Sequence, residues 1–352
     1  MRVVVALGGN ALLRRGEKPD ADIQLGHVRT AAQALAPLAG RHELVICHGN
    51  GPQIGMLSRE SESDAALTRP YPLDALVAQT QGMIGYWLAL CLRNEGLVKP
   101  ILGLVTQTLV DPADPAFAKP TKFVGPVYDH QRAQALADLH GWTIAADGDR
   151  WRRVVPSPEP RRIIEQDSIS GLLGSGAVVI CGGGGGAPVA DDGAGQLHGV
   201  EAVVDKDSTA ALLAITLHAD VLLVLTDVPA VMEHLGTPQA AALRHLDLDD
   251  LAGREFPAGS MGPKIAACRH FVATTGHPAA IGQLSDADAI LSGTAGTTIT
   301  TSTHRTRTTV RTGATEGADS PQAGGRGRGT DRAPDLRSSA SQSPPTEGNL
   351  ES

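Results

Sequence analysis

The sequence predicts an α/β protein built on a mostly parallel sheet with helices on both faces. Short, nearly continuous apolar runs rich in branched residues alternate with longer Ala/Leu-rich windows. Each apolar run ends in a turn that contains Gly or Asp. The runs lack the strict apolar/polar alternation of a half-wet sheet, so both of their faces are expected to be buried.

The elements follow in order. RVVVAL (2–7) reads as the first strand and ends in GGN. TAAQALAPLA (30–39) reads as a helix, and ELVIC (43–47) as a strand ending in HGNGPQ. DALVAQTQGMIGYWLALCL (74–92) is a longer helical window. Residues 110–165 interrupt the alternation: DPADPAFAKPTKFVGPVYDH is rich in Pro, and WRRVVPSPEPRR follows a short helical stretch. This segment is expected to leave the sheet as a small lid-like subdomain carrying Lys119, Lys122, Arg152 and Arg153. AVVIC (177–181) resumes the pattern and ends in GGGGGAP; STAALLAITLHA (208–219) follows VVDKD; VLLVL (221–225) ends in TDVP. From 302 to 352 the chain is dominated by Thr, Ser, Gly, Arg, Pro and Ala, with no aromatic residue and almost no branched aliphatics. Such a segment buries too little apolar surface to offset the entropy of ordering, so disorder is expected there and a folded body over 1–301.

Composition narrows the function. The 352 residues are 41% apolar and 19% charged, enough for a core; aromatics are only 3%, so that core is aliphatic. Net charge is −8 and no basic stripe interleaves with aromatics, which speaks against a nucleic-acid partner. No apolar run is expected to reach the ~18 residues of a membrane span, and MRVVVALGGNALL has the pattern of a strand and not of a signal peptide. Cys47, Cys91, Cys181 and Cys268 are far apart with no CxxC pair, so buried free thiols in a reducing, cytoplasmic setting are expected. Of 30 basic residues only six are Lys: Lys18, Lys99, Lys119, Lys122, Lys206 and Lys264. A chain that otherwise uses Arg directs attention to its few ammonium groups.

Three Gly-rich turns follow three strands: Gly8-Gly9-Asn10, Gly49-Asn50-Gly51-Pro52 and Gly182 to Gly186. Gly lets backbone approach a ligand closely, and successive N–H groups cradle an anion. No GxxxxGK[ST] occurs, and Pro188 with ADDGAGQLHG stands where a dinucleotide fingerprint requires a helix. Lys206 lies between Asp205 and Asp207 ahead of a helix that Asp207 or Ser208 can cap. Lys264 follows Gly-Ser-Met-Gly-Pro at another helix start, where a cation is unfavourable unless an anion joins it. His48 precedes a Gly turn and is expected to be structural. Glycine cradles, several ammonium groups and no nucleophile–base pair suit phosphoryl transfer, whose transition state spreads negative charge.

These motifs, in this order, resemble the amino-acid kinase superfamily and, within it, the carbamate kinases. The segments that carry the resemblance are ALGGNAL (6–12), HGNGPQIG (48–55), KPTKFVGPVY (119–128), WRRVVPSPEP (151–160), CGGGGGAPV (181–189), GVEAVVDKD (199–207) and GSMGPKI (259–265). The PTKFVGP and RRVVPSP segments are the specific ones. The resemblance implies a three-layer αβα sandwich with a protruding subdomain, a homodimer, and transfer between ATP and carbamate giving ADP and carbamoyl phosphate with Mg²⁺. It implies use in the ATP-forming direction, in arginine or related catabolism. Position by position it implies that Gly8, Gly9, Asn10, Gly49, Asn50 and Gly51 hold the transferred phosphoryl group and the carbamate. Lys206 and Lys264 neutralise phosphoryl oxygens, Asp207 orients them, and Lys122 reaches down from the protruding subdomain. Gly183, Gly184, Asp227, Ser260 and Met261 fall on the nucleotide side. LTDVPAVMEHLG (225–236) departs from the usual form, which has Ala after LT and a Tyr a few residues later. Two other readings are a kinase of the same fold with a different small acceptor, and a silent nucleotide-binding protein.

Overall fold

A computed structural model describes residues 1–301 apart from 15, 235, 238, 258 and 259. The expected disorder of 302–352 lies outside the described residues. The centre is an eight-stranded sheet. Its order is His245–Asp247, Thr297–Thr300, Ala279–Gln283, Val221–Thr226, Arg2–Leu7, Glu43–His48, Val178–Ile180 and Ile101–Gly103. Every neighbouring pair is parallel except Ala279–Gln283 with Thr297–Thr300.

The apolar runs show why both faces are covered. Successive side chains of a strand point to opposite faces. Val4 and Ala6 enter one core with Ala210 and Leu213 of helix Lys206–Thr216 and Phe271 and Val272 of helix Met261–Thr275. Val3, Val5 and Leu7 enter a second core with Leu35 and Leu38 of helix Ala21–Arg41 and Ile84 and Leu88 of helix Leu73–Asn94. One strand therefore feeds two cores, and the result is a sandwich of helices, sheet and helices.

Two helices differ instructively from the sequence expectation. The window 30–39 is the second half of a helix that begins at Ala21. Its first half carries Asp22, Gln24 and His27, which hide the apolar stripe of Val28 and Leu35. Contrary to the sequence expectation, the segment Leu73–Asn94 is long and apolar enough to span a bilayer by length and composition. In this fold it is a core helix, with Leu76, Ile84, Leu88 and Leu92 buried. All four cysteines are free and buried.

Register places the site. Leu7 pairs with both Leu225 and His48, so three strands end at one level. Gly8 N–H donates to the Leu225 carbonyl at 2.9 Å, and Gly49 N–H to the Leu7 carbonyl at 2.9 Å. The Gly8, Gly49 and Thr226 turns thus open on the same carboxyl edge, where open α/β sheets bind ligands.

Residues 122–155 form a separate three-stranded antiparallel sheet of Lys122–Tyr128, Arg150–Val155 and Thr143–Asp147, with helix His130–His140. Val124 and Val155 pack on Ile54, Leu73, Leu76, Val77 and Val203, which seats this sheet over the carboxyl edge. A four-stranded sheet of Leu197–Gly199, Ala187–Asp191, Gln107–Val110 and Pro160–Ile163 includes the two strands that flank the small sheet in sequence, Gln107–Val110 and Pro160–Ile163.

Candidate active site

Asp205 starts the site by capping helix Lys206–Thr216. Its backbone is extended, and its Oδ1 accepts from Asp207 N at 2.9 Å and Ser208 N at 3.4 Å. The cap is therefore neither Asp207 nor Ser208, and the helix begins two residues before the apolar window that announced it. Asp207, freed from capping, is 1% exposed within the first turn. Its two oxygens take two lysines: Lys206 Nζ at 2.7 Å and Lys264 Nζ at 3.4 Å. Lys264 comes from helix Met261–Thr275, with Pro263 in its first turn. The anion that Lys264 required beside a helix N-terminus is, in part, the buried Asp207 carboxylate.

Lys122 arrives from the small sheet and donates to Asp205 Oδ2 at 2.6 Å. Lys119 instead terminates the short helix Pro115–Ala118. Three ammonium groups thus meet two carboxylates, and Asp227 lines the same cavity as Lys264. Burial raises the pKa of Asp205, but Lys122 and Lys206 outweigh it and hold it down at about 2. Burial also works against the Lys206 ammonium, and Asp207 and Asp205 overcome it, so its pKa lies above the ordinary lysine value. Both groups stay charged throughout the neutral range.

Two cavities of about 330 and 340 Å³ meet at Gly9 and Asn10. The first has an apolar wall of Val228, Ala230, Met232, Phe256 and Pro257, and is completed by Gly8, Asp227, Ser260, Met261 and Lys264. The second is lined by Gly49, Asn50, Gly51, Lys122, Gly184 and Lys206. Asn10 is fixed between them by donating to Asp227 Oδ2 at 2.9 Å. Burial raises the pKa of Asp227, and the bonds from Asn10 and Thr226 bring it below its ordinary value. The arrangement joins an apolar-walled pocket to a cationic one of similar size at Gly9 and Asn10, with Lys264 on one side and Lys206 on the other.

The chain matches the model of the amino acid kinase family over residues 1–283. It is 50% identical to carbamate kinase of Escherichia coli K12 over 297 residues, 84% of this chain and 98% of that protein. It is 48% identical to carbamate kinase of Rhizobium meliloti over 305 residues, 86% of this chain and 94% of that protein. Among solved structures, carbamate kinase from Giardia lamblia bound to AMP-PNP is 37% identical with a TM-score of 0.79, covering 85% of this chain and 98% of that one. The chain belongs to the carbamate kinases of the amino acid kinase family.

Of the residues that the carbamate kinase resemblance singled out, Gly8, Gly9, Asn10, Gly49, Asn50, Gly51, Lys122, Lys206, Lys264, Asp227, Ser260 and Met261 line one or both cavities. Asp207 lies beneath them. Gly183 and Gly184 do not line the apolar cavity. Gly184 has φ +64° and lines the cationic pocket, where a Cβ would sit 2.0 Å from Asn50 Nδ2. Gly183 is buried, and a Cβ there would sit 2.3 Å from His48 Nε2. The glycine run is thus the floor under the second cradle. Sequence reasoning missed Asp205 as the cap and the apolar wall. A carboxylate just ahead of Lys-Asp-Ser at a helix start is a readable cap signal; Val228, Ala230, Met232 and Phe256 carry no signal that separates them from core residues.

His48 is structural, as expected. It is 1% exposed, and its Nδ1 donates to the Gly49 carbonyl at 2.9 Å. Burial pushes its pKa down to about 4, against a smaller opposite pull from that bond.

The close packing of the glycines and the burial of His48 each lead to a prediction. A Cβ at Gly49 would lie 2.8 Å from Gly9 N and 2.9 Å from Gly9 Cα, forcing the two cradles apart. Gly49→Ala is expected to lower kcat by about 100-fold, since a displacement near 1 Å costs that much, and steady-state kinetics on the folded variant checks it. The second prediction concerns pH. Unfolded His48 takes up a proton near pH ~6.5 that the folded ring refuses until about pH 4. The unfolded state therefore binds more protons between these values, so the contribution of His48 to stability falls as pH falls through that window. Urea midpoints at pH 7.5 and 5 should differ less in His48→Gln than in the native chain; an equal difference excludes the effect.

Proposed function

We propose that this chain catalyses reversible phosphoryl transfer between ATP and carbamate, giving ADP and carbamoyl phosphate. The observation that carries the reading is the junction of the two cavities, with Lys206 and Lys264 on the two oxygens of one buried aspartate. The apolar cavity suits a purine ring. The cationic cavity, with Asn10, Asn50 and Lys122, suits a small planar anion. The names of the relatives agree with both.

The chemistry needs little from the chain beyond placement and charge. Carbamate is already an anion, so its oxygen attacks the terminal phosphorus without a general base. As that P–O bond forms, the bond from phosphorus to the ADP oxygen breaks. Negative charge spreads over the transferred oxygens, and the Gly8 to Asn10 and Gly49 to Gly51 cradles with Lys206 and Lys264 face it. Lys122 neutralises the acceptor. Asp207 fixes both lysines and itself carries no proton in the step.

Mg²⁺ enters this reading with the nucleotide. Among the described residues no group of three His, Cys, Asp or Glu side chains is placed to hold a metal. Asp205 and Asp207 are engaged by lysines, and Asp227 lines the apolar cavity. That donor set fits an ion held mainly by phosphate oxygens and water, with Asp227 as its protein partner. Bound in this way, Mg²⁺ supplies neutralisation of the phosphate charge.

We also propose ATP formation as the working direction, because carbamoyl phosphate is a mixed anhydride and a strong phosphoryl donor. Such a step would end arginine or related catabolism. A homodimer belongs to the same reading. Strand Ile101–Gly103 is an edge of the main sheet, and Tyr86, Leu90 and Val105 stand exposed near it. An unpaired edge beside apolar side chains suits a second copy of the chain. Sedimentation should give twice the chain mass, and Tyr86→Glu should shift it to the monomer; a monomeric native chain sinks this part.

The test of function is ATP formation from MgADP and carbamoyl phosphate, with the full chain and with a version ending at Thr301. Lys206→Met is expected to lower kcat by about 100- to 1,000-fold, the usual cost of one transition-state donor, with ADP binding retained. A folded native protein that binds ADP and forms no ATP would move the assignment to a sister kinase or a silent binder.

A further inference from the structure

We propose that Asp205 is a positioning residue for this reaction: one carboxylate oxygen fixes the helix that carries Lys206 and Asp207, while the other holds the Lys122 ammonium over the acceptor pocket. The inference rests on the carbamate kinase reading and adds to it a residue that does not touch the reacting atoms.

Capping alone does not account for Asp205. A cap needs a single acceptor, and Ser, Thr or Asn supply one. In this helix Oδ1 makes both capping contacts, at 2.9 Å and 3.4 Å, and Oδ2 is left to bond Lys122 Nζ at 2.6 Å. That second bond crosses from the body to the small sheet. It joins residues 83 positions apart in the chain. The Asp205 side chain is 23% exposed and that of Lys122 37%, so the pair sits at the rim of the pocket that Lys122 lines, sheltered but not sealed.

The geometry gives Lys122 a resting place. A lysine stem is flexible, and an ammonium that must find the acceptor loses rotamer freedom when the acceptor binds. An ammonium has three donors. With one on Asp205, two remain for an anion in the pocket, and the ordering is complete before the anion arrives. Asp205 also balances charge. Without it, Lys122 loses its bonded carboxylate and Lys206 keeps only Asp207. The same carboxylate therefore ties the small-sheet cation to the helix N-terminus that carries Lys206 and Asp207.

Asp205→Asn tests this, because Asn caps as well as Asp and keeps the shape while removing the charge. ATP formation is measured with the full-length chain at varied carbamoyl phosphate and varied MgADP. The KM for carbamoyl phosphate should rise about ten-fold, the worth of one charged hydrogen bond, while the KM for ADP stays within about two-fold. In a Lys122→Met background the added Asp205→Asn change should alter the carbamoyl phosphate KM by less than about two-fold, because the residue acts through Lys122. An unchanged carbamoyl phosphate KM overturns the proposal. So does a parallel rise in both KM values, or an undiminished effect in the Lys122→Met background. If Asp205→Asn fails to fold, Lys122→Met alone decides. It should raise the same KM by a comparable factor, and no rise overturns the proposal. A native chain that forms no ATP refutes the reaction itself. Normal native turnover with an uncoupled Asp205 refutes only the positioning role of this carboxylate.

Discussion

The site depends on one buried carboxylate that cannot be left alone. Asp207 is 1% exposed, and an ionised carboxylate in that position is costly unless cations pair with it. Lys206 meets one oxygen and Lys264 the other. The two lysines come from the starts of two different helices, Lys206–Thr216 and Met261–Thr275, which pack side by side on one face of the sheet. Satisfying Asp207 therefore sets the relative placement of those helices and of their ammonium groups. The same helix starts would repel lysines in isolation. Asp207 offsets part of that repulsion, and the remainder gives the site its demand for a second, incoming anion.

The second constraint is the close approach of backbone. Three strands end level with one another because Leu7 is in register with both Leu225 and His48. The turns that leave them crowd together, and Gly49 lies against Gly9 with no room for a Cβ. Gly183, Gly184 and Gly185 in turn lie against His48, Asn50 and Val204, each closer than a side chain allows. Crowding brings the two Gly-rich turns against one another, next to Lys206 and Lys264. Glycine at these turns is needed for proximity of chain to chain as much as for approach to a ligand.

This also explains which parts were legible in the sequence. Strands buried on both faces announce themselves as apolar runs, and Arg2–Leu7, Glu43–His48 and Val221–Thr226 fall within a residue of their expected ends. Helix Ala21–Arg41 was half hidden, because Gln24 is buried through hydrogen bonds to Pro19 and Gln53 that no periodicity reveals. The lysines were legible because the chain has so few. The Gly182 to Gly186 run was legible as a tight turn, but its partners were not: nothing local distinguishes a glycine packed on Asn50 from one packed on a nucleotide. The apolar wall of Val228, Ala230, Met232 and Phe256 was silent for a similar reason. Its residues belong to two stretches more than twenty positions apart, and each alone has the composition of core.

The small sheet shows how a segment outside the main sheet is brought to the site. Two ion pairs cross to it, and both use carboxylates from the short stretch 201–205. Glu201 accepts from Leu73 N at 3.0 Å, at the start of helix Leu73–Asn94, and its other oxygen meets Arg153 at 2.8 Å. Asp205 does the same with helix Lys206–Thr216 and Lys122. Each carboxylate is held by a helix N-terminus, where negative charge is favoured, and each presents a second oxygen to a cation of the small sheet. Exposed ion pairs contribute little to stability, and Glu201 is half exposed, so these pairs do not hold the sheet down by strength. The apolar cluster of Val124, Val155, Ile54 and Val203 does that. What the pairs add is direction. An apolar contact tolerates sliding, whereas a carboxylate pinned to a helix end accepts a cation from a narrow range of positions. Burial keeps the small sheet on the body, and the two carboxylates decide where on the body Lys122 points.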